Sequence, residues 1–232
     1  LDRVNSILLA ILSDGGETFL VGGALRNYFI QEPVNEYDIE VHHISYESLC
    51  DVFARCAIPF DTQGKLFGVI KTPSIFIDWS LPRKDGAGRY PKVEIDIHMP
   101  INQALSRRDF TVNAIALKIA IDNRQELFDP YDGVSDCKTK TLSCVNPVTF
   151  SDDPLRFLRA FVYMSEYYFT PDAELIDLMQ KYELKNSFFY TKQKKMLKRI
   201  VQGKYYDNVL FFLKQHDLGN FENIVRKAEM LI

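Results

Sequence analysis

Four cysteines in 232 residues are too few, and too irregularly spaced, for a disulfide framework. Cys50, Cys56, Cys137 and Cys144 match neither a CxxC pair nor a zinc ribbon, so they read as reduced thiols of a cytosolic, cytoplasmic chain. No apolar run reaches the ~18 residues that a membrane span needs, and no signal-peptide pattern is visible. Positive charge is not in surplus either: 28 Lys and Arg stand against 31 Asp and Glu, a net charge of −3. That excludes a wholesale nucleic-acid coat but not a local basic face. Internal repeats are absent. The chain opens on Leu1 rather than methionine, as a trimmed or processed product would. What is present, 47% hydrophobic residues, suffices for one core or two small ones.

The stretch Thr18 to Val41, TFLVGGALRNYFIQEPVNEYDIEV, carries the first chemical signal. Phe19-Leu20-Val21 fits a buried strand, Gly22-Gly23 breaks it, and Ala24 to Ile30 resumes with helical spacing. A strand that turns through glycines into a helix start makes a phosphate cradle. Glu36, Asp38 and Glu40 follow on what reads as one strand face. Acids so placed repel one another unless a cation lies between them, although alternating acids also make an ordinary solvated face. Beside a phosphate cradle the natural cation is magnesium.

Around this unit the pattern predicts a helix over 2–13 ended by Asp14-Gly15-Gly16, and another over 45–56 capped by Ser45. His42 and His43 read as surface residues at a strand end. Strands are expected at 67–71 and 75–81 with a turn at Thr72-Pro73-Ser74. Asp78, inside the second, is costly there unless paired or coordinated. Arg83 to Pro91 reads as a mobile loop, and 115–121 with 126–128 as a hairpin. Arg107 and Arg108 beside Asp109 could be a salt-bridged surface, but Arg also suits bidentate phosphate binding.

From Asn146 the texture turns helical. One helix starts near Ser151 as cap, with Asp152 and Asp153 in its positive first turn and Pro154 still within it. Asp153 and Arg156, three apart, share a face. Lys192, Lys194, Lys195, Lys198, Arg199 and Lys204 crowd thirteen residues, either a solvated helix face or a contact for RNA phosphates.

VGGALRN followed by DIEV, then RRDFTVNA, DPYDG and DDPLRFLRA, resemble in this order the motifs of the tRNA nucleotidyltransferase (CCA-adding) and bacterial poly(A) polymerase family, within the DNA polymerase beta-like nucleotidyltransferases. RRDFTVNA is the most specific of these. The departures are Glu36 where the family's acidic pair has Asp, Asp132 for the first glycine of DPFGG, and Asp152 for a glutamate.

The resemblance, covering Phe19 to Met179, implies an α/β fold: a polymerase beta-like head with a mixed sheet at 1–145, then an all-helical neck or RNA-binding domain at 146–232. It implies template-independent addition of CMP or AMP from CTP or ATP to the 3′ end of tRNA or another RNA, with pyrophosphate released. A two-metal Mg2+ site would be held by Glu36 and Asp38, with Asp78 as third acid and Glu94 and Asp96 as its rivals. Gly22, Gly23 and Arg26 would cradle phosphates, and Arg107 and Arg108 would hold the rest of the triphosphate. Asp109 and Asn113 would meet the ribose. Asp153 and Arg156 would read the base, with Arg159 in the same nucleotide-binding motif. Lys192, Lys194, Lys195, Lys198 and Arg199 would contact RNA. Full-length family members continue into further helical domains, so the chain reads as a truncated piece or a short member. The alternatives are a poly(A) polymerase or a nucleotide- or RNA-binding module with little catalysis. A small-molecule nucleotidyltransferase is disfavoured by RRDxxxN and DDPLRFLRA.

Overall fold

The structure, a computed structural model, describes residues 2–86, 92–120, 125–182 and 191–229. The chain divides into two compact units, Leu1–Lys138 and Thr139–Ile232.

In the first unit the apolar stripe of Ile7, Leu8 and Ile11 builds α1 (Asp2–Ser13), and Gly15, at φ 84°, turns the chain into β1 (Glu17–Val21). Then follow α2 (Gly23–Phe29), β2 (Tyr37–His42), α3 (Tyr46–Arg55), β3 (Val69–Thr72) and β4 (Ile77–Ser80). The strands β5 (Arg83–Asp85) and β6 (Val93–Ile95) form a hairpin, and α4 (Ile101–Leu105), β7 (Ala116–Lys118), β8 (Glu126–Phe128) and α5 (Gly133–Thr139) complete the order. Six strands make one mixed sheet, β3-β4-β2-β1-β7-β8, in which only the β2–β4 pair is parallel.

Strand β2 divides its residues between two faces. Ile39 and Val41 pack with Ile7 and Ile11 of α1, Leu49, Val52 and Phe53 of α3, and Trp79 of β4. Each such side chain, once fully buried, contributes about 1.5–3 kcal/mol, so this cluster fixes the register of the strand. The opposite face carries Asp38, Glu40 and His42. As expected, Ser45 caps α3, its Oγ accepting the Ser48 N–H at 3.0 Å.

Several expectations are corrected. The strands foreseen at 67–71 and 75–81 are shorter, because Lys65–Phe67 and Pro73–Ile75 form 3-10 turns that end on left-handed Gly68 and Phe76, at φ 63° and 56°. Part of the loop foreseen at 83–91 is strand, through the β5–β6 pairing, while residues 87–91 lie outside the described ones. The β7–β8 hairpin forms, but residues 121–124 of its turn are likewise outside. Asp132 adopts φ 56°, the left-handed conformation that a glycine would take freely and that Asp tolerates better than most residues. Asp129 caps the following helix, its carboxylate accepting the N–H groups of Gly133 at 2.7 Å and Val134 at 3.0 Å.

The second unit holds β9 (Thr141–Leu142), α6 (Pro147–Phe150), α7 (Leu155–Tyr167), β10 (Thr170–Pro171), α8 (Ala173–Lys181), α9 (Thr191–Gln202), α10 (Tyr206–Gln215) and α11 (Gly219–Glu229). It is not purely helical: β9 and β10 pair in parallel and tie the segment from Thr141 into this unit. Helix α7 is its axis, with the Phe157 and Phe161 rings 5.7 and 5.2 Å from that of Phe221 in α11. Ser151 is not the cap foreseen for this helix. It ends α6; Pro154 is the N-cap position of α7 and offers no side-chain cap, while Asp153 Oδ1 accepts the Leu155 N–H at 3.0 Å. No helix among the described residues is long and apolar enough to cross a membrane.

Candidate active site

Strand β1 ends at Val21, whose register partners are Asp38 on β2 and Ala116 on β7. The glycine turn that follows is thereby fixed beside Asp38. Gly22 sits at φ 71°, ψ −126°, where an L side chain is strained. A Cβ built there would lie 3.3 Å from Arg108 Nη1, 3.8 Å from the Asn113 carbonyl oxygen and 3.9 Å from Asp38 Oδ2. The missing side chain lets a guanidinium and a carboxylate converge over bare backbone, from segments 70 residues apart in sequence (108 − 38). A Cβ at Gly23 would lie 3.6 Å from Arg26 Nη2.

Arg26 is buried, with Nη1 donating to Asn113 Oδ1 at 2.7 Å and Nη2 to Asn27 Oδ1 at 2.9 Å. Asn113 in turn donates Nδ2–H to Asp109 Oδ1 at 2.9 Å, and the same oxygen accepts the Phe110 N–H. The arginine foreseen as a phosphate ligand thus holds the 3-10 turn Thr111–Asn113 against α2. Asp109 and Asn113 are one buried hydrogen-bonded pair.

The acids gather along β2 and its parallel neighbour. Asp38 is in register with Asp78 on β4, and Glu36 lies exposed just before β2. Asp38 is exposed to solvent on one side. Crowding by protein on its other sides raises its carboxyl above the usual carboxylate range, with repulsion from Asp78 and Glu36 adding and Arg108 and Lys71 opposing. Lys71 of β3 forms an ion pair with Asp78, which raises the lysine's own pKa. Glu94 and Asp96 belong to the β5–β6 hairpin and the turn after it, where Lys84 lies 3.6 Å from Asp96 Oδ2. Neither enters the Asp38–Asp78 ladder.

Oxygen-only donors beside a glycine turn suit magnesium. Among the described residues no three Asp, Glu, His or Cys side chains converge as a complete protein-only ligand set. Magnesium does not require one, since it commonly takes one or two carboxylates and fills its octahedron with water and substrate phosphates. The mutual repulsion of Asp38, Asp78 and Glu36 marks where such a charge would be stabilising.

Glu40 was legible as part of the acidic face but not as a site residue. It is 1% exposed, with His42 Nε2 at 3.1 Å, Arg107 Nη2 at 3.2 Å and Arg108 Nη2 at 3.7 Å from its carboxylate. Burial alone would raise its pKa, but the hydrogen bond from His42 and the two guanidinium charges pull it down to about 2. His42, expected at the surface, is buried at 2% exposure; only His43 is open. Burial and the adjacent charge of Arg107 lower the pKa of Arg108. Its Nε is also buried without a hydrogen-bond partner, a donor for which the described residues supply no acceptor.

In the second unit, Asp153 Oδ1 accepts the Leu155 N–H at the start of α7, while Arg156 Nη1 donates to the Thr149 carbonyl at 3.1 Å and its Cζ lies 5.9 Å from the Phe150 ring centroid. Arg159 is half-buried on the same helix. Lys194, Lys195 and Lys198 are exposed on α9, and the Lys192 side chain lies outside the described ones. Arg199 is committed elsewhere. Its Nε and Nη2 donate to Glu166 of α7 at 2.7 and 2.6 Å, a bidentate pair that pins α9 to α7.

Residues 18–143 match the family model described as the poly(A) polymerase head domain. A multifunctional CCA protein of Mannheimia succiniciproducens is 35% identical over 170 residues, covering 70% of this chain and 38% of that protein. One from Acidovorax sp. is 33% identical over 170 residues, covering 71% and 38%. The chain therefore spans 38% of the length of these curated relatives. Among solved structures, the Bacillus stearothermophilus CCA-adding enzyme in complex with CTP aligns at TM-score 0.78 and 21% identity, over 94% of this chain and 52% of that one. The Thermotoga maritima CCA-adding enzyme complexed with tRNA aligns at 0.69 and 20%, over 93% and 50%. At these identities the likeness establishes the fold.

Proposed function

The chain belongs to the poly(A) polymerase head-domain family, and from that premise we propose that it is a template-independent nucleotidyltransferase. It would add CMP or AMP from CTP or ATP to the 3′ end of RNA, with tRNA as the acceptor and the cytoplasm as the setting. The observation that carries this reading is the approach of Arg108 and Asp38 over Gly22, which joins an anion site to a carboxylate site.

In the reaction, the RNA 3′-hydroxyl attacks the α-phosphorus and pyrophosphate leaves. Arg107 and Arg108 bind the triphosphate and hold the leaving group in line, so that the hydroxyl meets phosphorus in a reactive geometry. The Gly22 turn lets the phosphates approach the backbone closely. Arg26 keeps Asn113 and Asp109 in place for the ribose. Magnesium held by Asp38, with Glu36 and Asp78, would supply activation of the hydroxyl and neutralisation of the leaving group. The base would be selected by Asp153 and Arg156, a fixed acceptor and a planar fork of donors.

The test uses tRNA lacking its 3′ end, magnesium and each nucleotide in turn, with product length read on a gel. Stepwise extension by CTP and ATP supports the reading, and its length separates CCA, CC or A addition from a poly(A) tail. Glu36 in place of the family's Asp supports a second reading, a nucleotide-binding module without turnover. Nucleotide binding with no extension would favour it.

A further inference from the structure

The site contains an acid that the reaction does not employ directly. Glu40 is two residues along β2 from Asp38 and on the same face, and it is all but sealed from solvent. A carboxylate in such a place is tolerated only when it is paired, and its partners are unusually many. Two adjacent guanidiniums, Arg107 and Arg108, reach one of its oxygens at 3.2 and 3.7 Å, and His42 meets the other at 3.1 Å.

His42 is itself fixed. Its Nδ1 lies 3.0 Å from the Met99 carbonyl oxygen and its Nε2 lies 3.1 Å from Glu40 Oε1, so the ring is held at both nitrogens. Phe19, the register partner of Glu40 on β1, closes the ring edge-on with centroids 4.9 Å apart. His42 thus holds Glu40 Oε1 and leaves Oε2 to the arginines.

Like charges at adjacent positions would otherwise separate. One shared carboxylate oxygen sets the direction of both guanidiniums, and Arg108 Nη1 thereby lies above the Gly22 turn. We infer that Glu40, backed by His42, is a positioning residue that aims Arg107 and Arg108 at the phosphate chain of the incoming nucleotide. This rests on the nucleotidyltransferase reading of the same site. Glu40 touches neither the substrate nor the reacting atoms; it acts through the two arginines.

The experiment uses the full chain and two probes, inorganic pyrophosphate and CTP, with binding measured by calorimetry and turnover by tRNA extension. Glu40→Gln preserves shape and removes charge. It is expected to weaken both probes by roughly tenfold, to raise KM for CTP by a similar factor, and to change kcat much less. A double-mutant cycle then separates positioning from mere stability: in an Arg107→Ala, Arg108→Ala background, Glu40→Gln should have almost no further effect on pyrophosphate binding. Unchanged affinity in Glu40→Gln, or a full loss that persists without the arginines, overturns the inference. If Glu40→Gln does not fold, judged by emission from the buried Trp79, Glu40→Asp carries the same test, because its carboxylate is drawn back by one methylene. A wild-type protein that binds neither probe refutes the reading of the site itself, a result distinct from any difference between variants.

Discussion

Asp38 and Asp78 lie side by side on the parallel strands β2 and β4, the one parallel pair in the sheet of the first unit. This puts two carboxylates on one surface, with Lys71 already paired to the second. Because the pKa of Asp38 is raised in the folded protein, its ionised form opposes folding at pH above the unfolded value, near 3.8. Asp38→Asn should therefore unfold no earlier than wild type at pH 7, by thermal melting, and yet extend no tRNA. Normal turnover by the folded variant would remove Asp38 from the chemistry.

Glu40 has the opposite sign. Its pKa falls from 4.5 to about 2 on folding, so its contribution is fully present above pH 4.5 and is lost as pH drops toward 2. The shift corresponds to about 3 kcal/mol. Acid titration of denaturant stability, followed by the single tryptophan Trp79, should show a steep loss across this window in wild type and a flatter one in Glu40→Gln. Parallel curves would mean that Glu40 contributes nothing to the pH dependence.

Two glycines of positive φ provide a matched pair. Gly15, at φ 84°, has nothing within 4 Å of a built Cβ, whereas at Gly22, at φ 71°, Arg108 would be met at 3.3 Å. Gly15→Ala and Gly22→Ala should each cost about 1–2 kcal/mol of stability through backbone strain. Only Gly22→Ala should also weaken CTP binding, by roughly tenfold, as a methyl displaces the guanidinium. Equal CTP affinity in both variants would show that the approach of Arg108 has no part in binding.

On α9, Lys194, Lys195 and Lys198 are exposed while Arg199 is held by Glu166. Changing the three lysines to Gln should lower tRNA affinity and reduce the salt slope by about three at most, since each phosphate contact contributes just under one. CTP affinity should stay the same. Arg199→Ala should instead lower the melting temperature of the second unit. An unaltered tRNA titration of the triple variant would make this face merely solvated.

Arg156→Ala should flatten the preference among the four nucleotides more than it slows total incorporation. A lost hydrogen bond in a desolvated site costs about 1–3 kcal/mol of discrimination. Equal slowing for all four, with selectivity kept, would leave Arg156 a structural role, through contacts such as its bond to Thr149.

The sequence shows residues whose role depends on neighbours nearby in the chain. Gly22 and Asp38 could be read from strand, turn and alternation, and Arg107 and Arg108 from their motif. Asp78 stood beside Glu94 and Asp96 as a candidate third acid, and only the pairing of β2 with β4 shows that it neighbours Asp38. Glu40 was visible on the acidic face, but alternation says which way a side chain points and not what lies across from it. Its arginines are 67 and 68 residues on (107 − 40 and 108 − 40). His42 was misread for the same reason, since Phe19 and Met99 cover it from distant segments. Ser151 has a capping side chain, but Asp153 captures the free N–H first.

Strand β2 alternates between two trades, with Ile39 and Val41 in the core and Asp38, Glu40 and His42 toward the site. For a lineage carrying this sequence, the consequence is a sharp asymmetry between kinds of genetic change. A substitution on either face can be graded and later repaired. One codon gained or lost within the strand would exchange the faces from that point on, sending acids inward and isoleucine outward. Drift can reach this strand by substitution, and almost never by length.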